Sequence, residues 1–275
     1  MPYFFCLLLT FIAPALSKTE EPYKRSHILF DCDFEELDCL TMWNNQEKAF
    51  KYSILKSDSI TKTGKFSVRM ELNKTAPTVT CYQRAELTLK PELQAKNERW
   101  YGLSVFFSKH YIPDNQGESI LQWVGSPDFD LGENFRAATI SCQSRNGNLY
   151  LIVQWAKGLV NIKSDGKKEI DLGAYTPNSW NDLVFHIKST WEEDGLIEVW
   201  KNKVLVATYK GPNCTNDKKG SYMKLGLWKD FWSLNITSQK TIFYDEIRIG
   251  DDQASYYDVA PGPPCAKSDY CISFF

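Results

Sequence analysis

Apolar and polar residues alternate at every second position through most of the chain. The alternating stretches are rich in Val, Ile, Phe, Tyr and Trp. They include Phe66–Leu72, Cys81–Leu89, Trp100–Ser108, Ser119–Val124, Arg136–Cys142 and Leu149–Trp155. Further stretches are Trp180–Lys188, Leu196–Lys201, Val204–Tyr209, Tyr222–Trp228 and Thr241–Ile249. A strand turns successive side chains to opposite faces, so period two predicts half-buried strands. No stretch sustains the 3.6-residue apolar period of an amphipathic helix.

The links between these stretches agree. Asn146-Gly147 favours the tight turn whose twist matches antiparallel neighbours. Lys201-Asn202-Lys203 is too short to be anything but a hairpin link. No internal repeat or low-complexity linker divides the chain. About a dozen strands with few helices predict an all-β, concanavalin-like jelly-roll sandwich of two antiparallel sheets. Its span is residues 27–250, between tails at 18–26 and 251–275.

The first residues change the setting. An apolar run through Leu16, with small residues Ala15 and Ser17, reads as a signal peptide over 1–17 and predicts secretion. No later segment has the ~20 apolar residues of a membrane helix. Three sequons, at Asn73, Asn213 and Asn235, are the expected glycosylation sites. Cysteines at 32, 39, 81, 142, 214, 265 and 271 should mostly pair in an oxidising compartment. Cys32–Cys39 and Cys265–Cys271 are plausible local loops; the odd cysteine suggests a disulfide-linked partner or a free thiol. No paired C-x-x-C suggests zinc. A net charge of −2 argues against a nucleic-acid partner, which needs a concentrated basic surface. Nine Trp and fourteen Tyr serve either as core or as platforms for sugar rings.

The order of several short motifs carries a resemblance. Gln83-Arg84-Ala85-Glu86-Leu87, Trp100–Ser104, Ile120-Leu121-Gln122-Trp123 and Trp180–His186 are followed by Tyr222–Gly226 and Tyr244–Gly250. Together, over residues 28–250, they resemble the heparin-lyase-I-like polysaccharide lyases, which also hold the glucuronan lyases. That resemblance implies a groove for uronic-acid polysaccharides and cleavage by β-elimination. Such chemistry needs a group that stabilises the uronate as its proton leaves, a base for that proton and an acid for the departing oxygen.

Carried over by position, the resemblance is mixed. Gln122 keeps the amide that can contact a uronate carboxylate, and Lys224 remains. Where the family has histidine stands Val124, and where it has the terminal tyrosine stands Trp228. Valine exchanges no proton, and indole N–H only donates a hydrogen bond. Arg84 and Trp228 join Gln122 and Lys224 as expected glycan contacts. Arg84 and Glu86 equally fit a cross-strand ion pair, and Tyr82 fits either packing or a sugar platform. If the chain is an enzyme, Tyr222 and His186 are the groups left to move protons beside Gln122 and Lys224. No cofactor is expected. Asp128 and Asp130 offer hard oxygens for calcium, without the full EF-hand spacing.

Two functions are thus carried forward: a non-catalytic protein that binds an acidic or matrix glycan, mineralised matrix included, and an active lyase. A purely structural matrix component is the third.

Overall fold

The computed structural model describes residues 23–36, 39–234 and 239–263, and the alternating stretches emerge in it as strands. The first eight are β1 (Ile28–Cys32), β2 (Asn45–Lys48), β3 (Ile54–Ser57), β4 (Ser67–Asn73), β5 (Gln83–Thr88), β6 (Asn97–Phe107), β7 (Glu118–Ser126) and β8 (Ile140–Arg145). Then come β9 (Asn148–Trp155), β10 (Gly166–Ala174), β11 (Trp180–Ser189), β12 (Leu196–Lys201), β13 (Val204–Lys210), β14 (Lys219–Lys229) and β15 (Gln239–Gly250). A single turn of helix, α1 (Tyr256–Val259), follows.

They form two sheets with antiparallel pairing throughout. The eight-stranded sheet runs β13-β12-β11-β6-β15-β4-β3, and β1 also pairs with β15. The seven-stranded sheet runs β10-β9-β8-β7-β14-β5-β2. Every expected strand is present. Both hairpin links are two-residue turns with positive φ, Asn146-Gly147 at 52° and 86° and Asn202-Lys203 at 51° and 73°.

One face of each sheet supplies the core. Leu103, Val105 and Phe107 of β6, Phe185 of β11 and Tyr244 of β15 come from the first sheet. Leu121 and Trp123 of β7, Leu225 and Leu227 of β14 and Leu87 of β5 meet them from the second. The Tyr244 hydroxyl is buried with them and donates to the Ile120 carbonyl across the sheets at 2.6 Å. Lys229 and Lys240 are fully buried at one end of this core. Glu118 lies 2.7 Å from Lys229 and 2.9 Å from Lys240, and Asp114 lies 3.0 Å from Lys229.

Cys32 and Cys39 form the expected disulfide. Cys81 is an exposed free thiol, whereas Cys142 and Cys214 are buried free thiols. Cys265, Cys271 and residues 1–17, expected to be a leader, lie outside the described residues.

Parts of both tails pack on the sandwich. Residues 23–26 and 251–263 are docked on the first sheet. Arg25 donates to the carbonyls of Ala260 and Gly262, and the Ser26 N–H to Asp258. Val259 is completely buried against Val184. This contact needs Gly102 on β6, because a Cβ there would lie 1.9 Å from the Val259 carbonyl oxygen. Short polar segments of this kind carry no periodicity, so their docking was not readable.

Candidate functional site

Register and alternation place the expected groove residues together. On β7 and β14, Gln122 is opposite Lys224 and Val124 is opposite Tyr222. On β14 and β5, Trp228 is opposite Arg84 and Gly226 is opposite Glu86. Their neighbours Leu121, Trp123, Met223, Leu225, Leu227, Ala85 and Leu87 point into the core. The set therefore lies on the face of the seven-stranded sheet turned away from the other sheet. Gly226 adopts φ +135°, and a Cβ there would sit 2.1 Å from the Ala85 carbonyl oxygen. Glycine thus lets β14 lie close against β5 between Lys224 and Trp228.

A residue from outside the expected set completes the centre. Glu47, on β2, is opposite Glu86 and reaches over both cations. Its Oε2 accepts from Arg84 at 2.6 Å and from Lys224 at 2.7 Å. Beneath them Glu86 is wholly buried, 3.5 Å from Arg84 and 3.8 Å from Lys224. It also accepts a 2.7 Å hydrogen bond from the Gln122 amide. Beside this centre the rings of Tyr82 and Trp228 meet at 4.9 Å, leaving a partly exposed aromatic surface.

The protonation states follow from burial and charge. Burial pushes Glu86 up to about 7, against the pull of Lys224 and Arg84. Burial pushes Glu47 up as well, but hydrogen bonds from Lys224 and Arg84 outweigh it and hold the carboxyl below its usual range. Tyr222 is raised to about 12 by burial and by the Glu47 and Glu86 charges. At neutral pH its phenol is therefore protonated, able to donate a hydrogen bond but not to take a proton.

Residues 35–248 match the sequence profile of the polysaccharide lyase family. The chain belongs to that family. Its fold is similar to the endo-β-1,4-glucuronan lyase of the fungus Trichoderma reesei, with a TM-score of 0.71 at 17% identity over 85% of this chain and 98% of that one. It is also similar to the PL-14 alginate lyase of Aplysia kurodai, with a TM-score of 0.57 at 10% identity over 82% and 100% of the two chains. The alginate lyase vAL-1 from Chlorella virus gives a TM-score of 0.52 at 14% identity over 82% and 99%. No curated protein sequence matches the chain.

Within this lyase fold several expected residues fall elsewhere. His186 does not share the face that carries Gln122 and Lys224. It lies on β11, in the other sheet, with the core between it and Gln122. Its ring stacks on Trp100 at 4.0 Å, and its two nitrogens lie 2.7 Å from Glu98 and 2.9 Å from Glu198. Alternation gives the face of a strand but not which sheet the strand joins. Asn213, expected as a glycosylation site, is placed inside the fold. Its side chain is buried, its carbonyl oxygen accepts from Thr190 N–H, and its amide nitrogen donates to the Lys188 and Leu196 carbonyls. Asn73 is half-buried, its carbonyl oxygen bonded to the backbone N–H and hydroxyl of Thr75. Asn235 lies outside the described residues.

The acidic loop is also rearranged. Asp130 is exposed and pairs with Lys218. The carboxylates of Asp128, Glu133 and Asp217 gather instead, their oxygens within 4.8 Å of one another. Arg136 already stands among them, 2.9 Å from Glu133 and 2.7 Å from Asp217. Glu133 also accepts from the backbone of Asp128 and Asn161. This knot ties three loops together, so Arg136 belongs to a loop and β8 begins only at Ile140. Among the described residues no helix is long and apolar enough to cross a membrane.

Glu47 was missed because Asn45–Lys48 is a polar edge strand with no apolar alternation. No signal in the sequence alone marks it.

Proposed function

We propose that this chain is a secreted, lyase-derived protein that binds acidic polysaccharide of the extracellular matrix without cleaving it. The observation that carries the reading is the pair Val124 and Trp228 on the groove face, next to Gln122 and Lys224. The two positions that would move protons hold a side chain without a titratable group and one that only donates. Arg84, Lys224 and Gln122 supply groups that suit a uronate carboxylate, and the Tyr82–Trp228 pair suits a sugar ring. General acid–base assistance is worth ~10²–10⁴-fold per group, so losing both leaves turnover near background. Secretion through the 1–17 leader and glycans at Asn73 and Asn235 belong to the same proposal.

The test is to incubate purified protein with glucuronan, heparin-like and alginate-like polymers. No unsaturated uronate should appear, while one of these polymers is retained in a binding assay. The double variant Val124→His, Trp228→Tyr should show new lyase activity if the groove still positions substrate.

A second reading, an active lyase, has one observation in its favour: Tyr222 lies directly opposite Val124 and beside Lys224. Turnover by the unmodified protein that is abolished by Tyr222→Phe would establish it.

A further inference from the structure

The centre of this sheet face is layered. Glu86 lies at the bottom with its side chain 1% exposed, Arg84 and Lys224 come next at 8% and 7%, and Glu47 is outermost at 18%. The outermost position, in contact with both cations, is where a carboxylate arriving from solvent would have to bind. We propose that Glu47 is a built-in carboxylate ligand of this groove, holding the cation pair that a uronate would otherwise occupy. The inference rests on the glycan-binding reading and adds how that site is gated.

Three features set this contact apart from an ordinary strut. One Glu47 oxygen bridges both cations, at 2.6 and 2.7 Å, as a bound carboxylate oxygen would. Glu86 lies beneath the same cations, and loss of the Glu47 charge favours its ionised form, so they keep a counter-charge when Glu47 leaves. Finally, Glu47 comes from the four-residue edge strand β2, which among the described residues pairs only with β5, whereas both cations stand on interior strands. Glu47 can therefore withdraw without parting the strands that carry Arg84, Lys224 and Gln122.

A ligand tethered to its own site competes at an effective concentration on the order of millimolar or more. A uronate that would bind the open cations at ~0.1 mM is then weakened about tenfold or more. Glu47 thus sets a threshold: isolated carboxylates are excluded, and a chain must gain contacts elsewhere, such as on Trp228, to displace it.

The test compares wild type with Glu47→Gln, which keeps the shape and removes the charge. Two probes are used: a glucuronate oligosaccharide by calorimetry and inorganic sulfate by thermal shift. The variant should bind the oligosaccharide about tenfold tighter or more. It should also gain stabilisation by sulfate that wild type lacks and that Glu47→Gln/Lys224→Gln loses. Equal or weaker oligosaccharide binding by folded Glu47→Gln overturns the gate and leaves the glycan reading standing. Sulfate stabilisation gained by the variant, with no oligosaccharide bound by either protein, supports the gate and overturns the glycan reading. A folded variant that gains no sulfate stabilisation, with no oligosaccharide bound by either protein, overturns both. Should Glu47→Gln not fold, Glu47→Asp draws the carboxylate back by one methylene; a gain smaller than that expected of Glu47→Gln supports the proposal, and no gain refutes it.

Discussion

Replacing Glu86 by glutamine should change how stability depends on pH. In the folded chain burial raises this carboxyl from 4.5 to about 7. Between those values the folded state holds a proton that the unfolded chain has released. Stability then falls as pH rises, because the unfolded state binds fewer protons. The contribution is fully present below 4.5 and is lost as pH passes through about 7. At 1.36 kcal/mol per pKa unit the loss is about 3 kcal/mol between about pH 4 and pH 8. Glutamine keeps the oxygen that accepts from Gln122 and does not titrate. Urea unfolding of both proteins across this range isolates the residue. Asp217 and Asp245, each raised to about 6 by burial, slope the same way but are common to both proteins. The wild type should lose about 3 kcal/mol more than Glu86→Gln on going from acid to alkali, and the variant should be at least as stable at about pH 8. Parallel pH profiles, or a variant less stable at alkaline pH, would show that Arg84 and Lys224 stabilise the Glu86 charge more than burial opposes it.

Other outcomes follow from single contacts. Lys229→Met should destabilise the fold by about 3–5 kcal/mol in the same unfolding assay, since Glu118 and Asp114 would stay buried with only Lys240 as counter-charge. Peptide mapping of protein expressed through a eukaryotic secretory pathway should find Asn213 unmodified, because its amide nitrogen is already committed to two carbonyls; a glycan on Asn213 would refute the buried placement. His186→Ala should leave polysaccharide binding unchanged, as measured by calorimetry, while lowering stability through the lost Trp100 stack and carboxylate contacts.

The sandwich was readable because its interior strands obey one rule. Leu121, Trp123, Leu225 and Leu227 must all reach the same core, so period two follows from burial on one side. The groove set came from the same rule, since Gln122 and Val124, or Lys224 and Trp228, occupy the alternate positions. Edge strands escape it. β2 reads Asn-Gln-Glu-Lys and β10 carries Lys167, Lys168 and Glu169, because an edge is partly solvated and charge there opposes unwanted pairing. That is why the groove was legible and its outermost carboxylate was not. Alternation also says nothing about sheet membership, which placed His186 in the wrong sheet. Asn213 illustrates a further limit: a sequon specifies chemistry, not exposure.

The presence of Arg84, Gln122 and Lys224 in this groove has two physical explanations, and they make different demands. Once Glu86 is buried beneath them, both cations and the Gln122 amide serve it as counter-charges and hydrogen-bond donor. Removing any of them leaves a buried group unsatisfied, so folding alone would keep them whether or not a ligand ever binds. Tyr82 and Trp228 are under no such constraint. Their rings pack on each other at the surface of this face and give Glu86 neither a hydrogen bond nor a counter-charge, although the Tyr82 ring also lies 5.8 Å from the Arg84 guanidinium. Binding therefore rests more firmly on these two rings than on the polar residues that match the family's motif. If truncating Trp228 abolishes polysaccharide binding while stability holds, the groove is a functional surface. If binding never depended on the rings, the charged centre is an ionic core that the fold retained for its own sake.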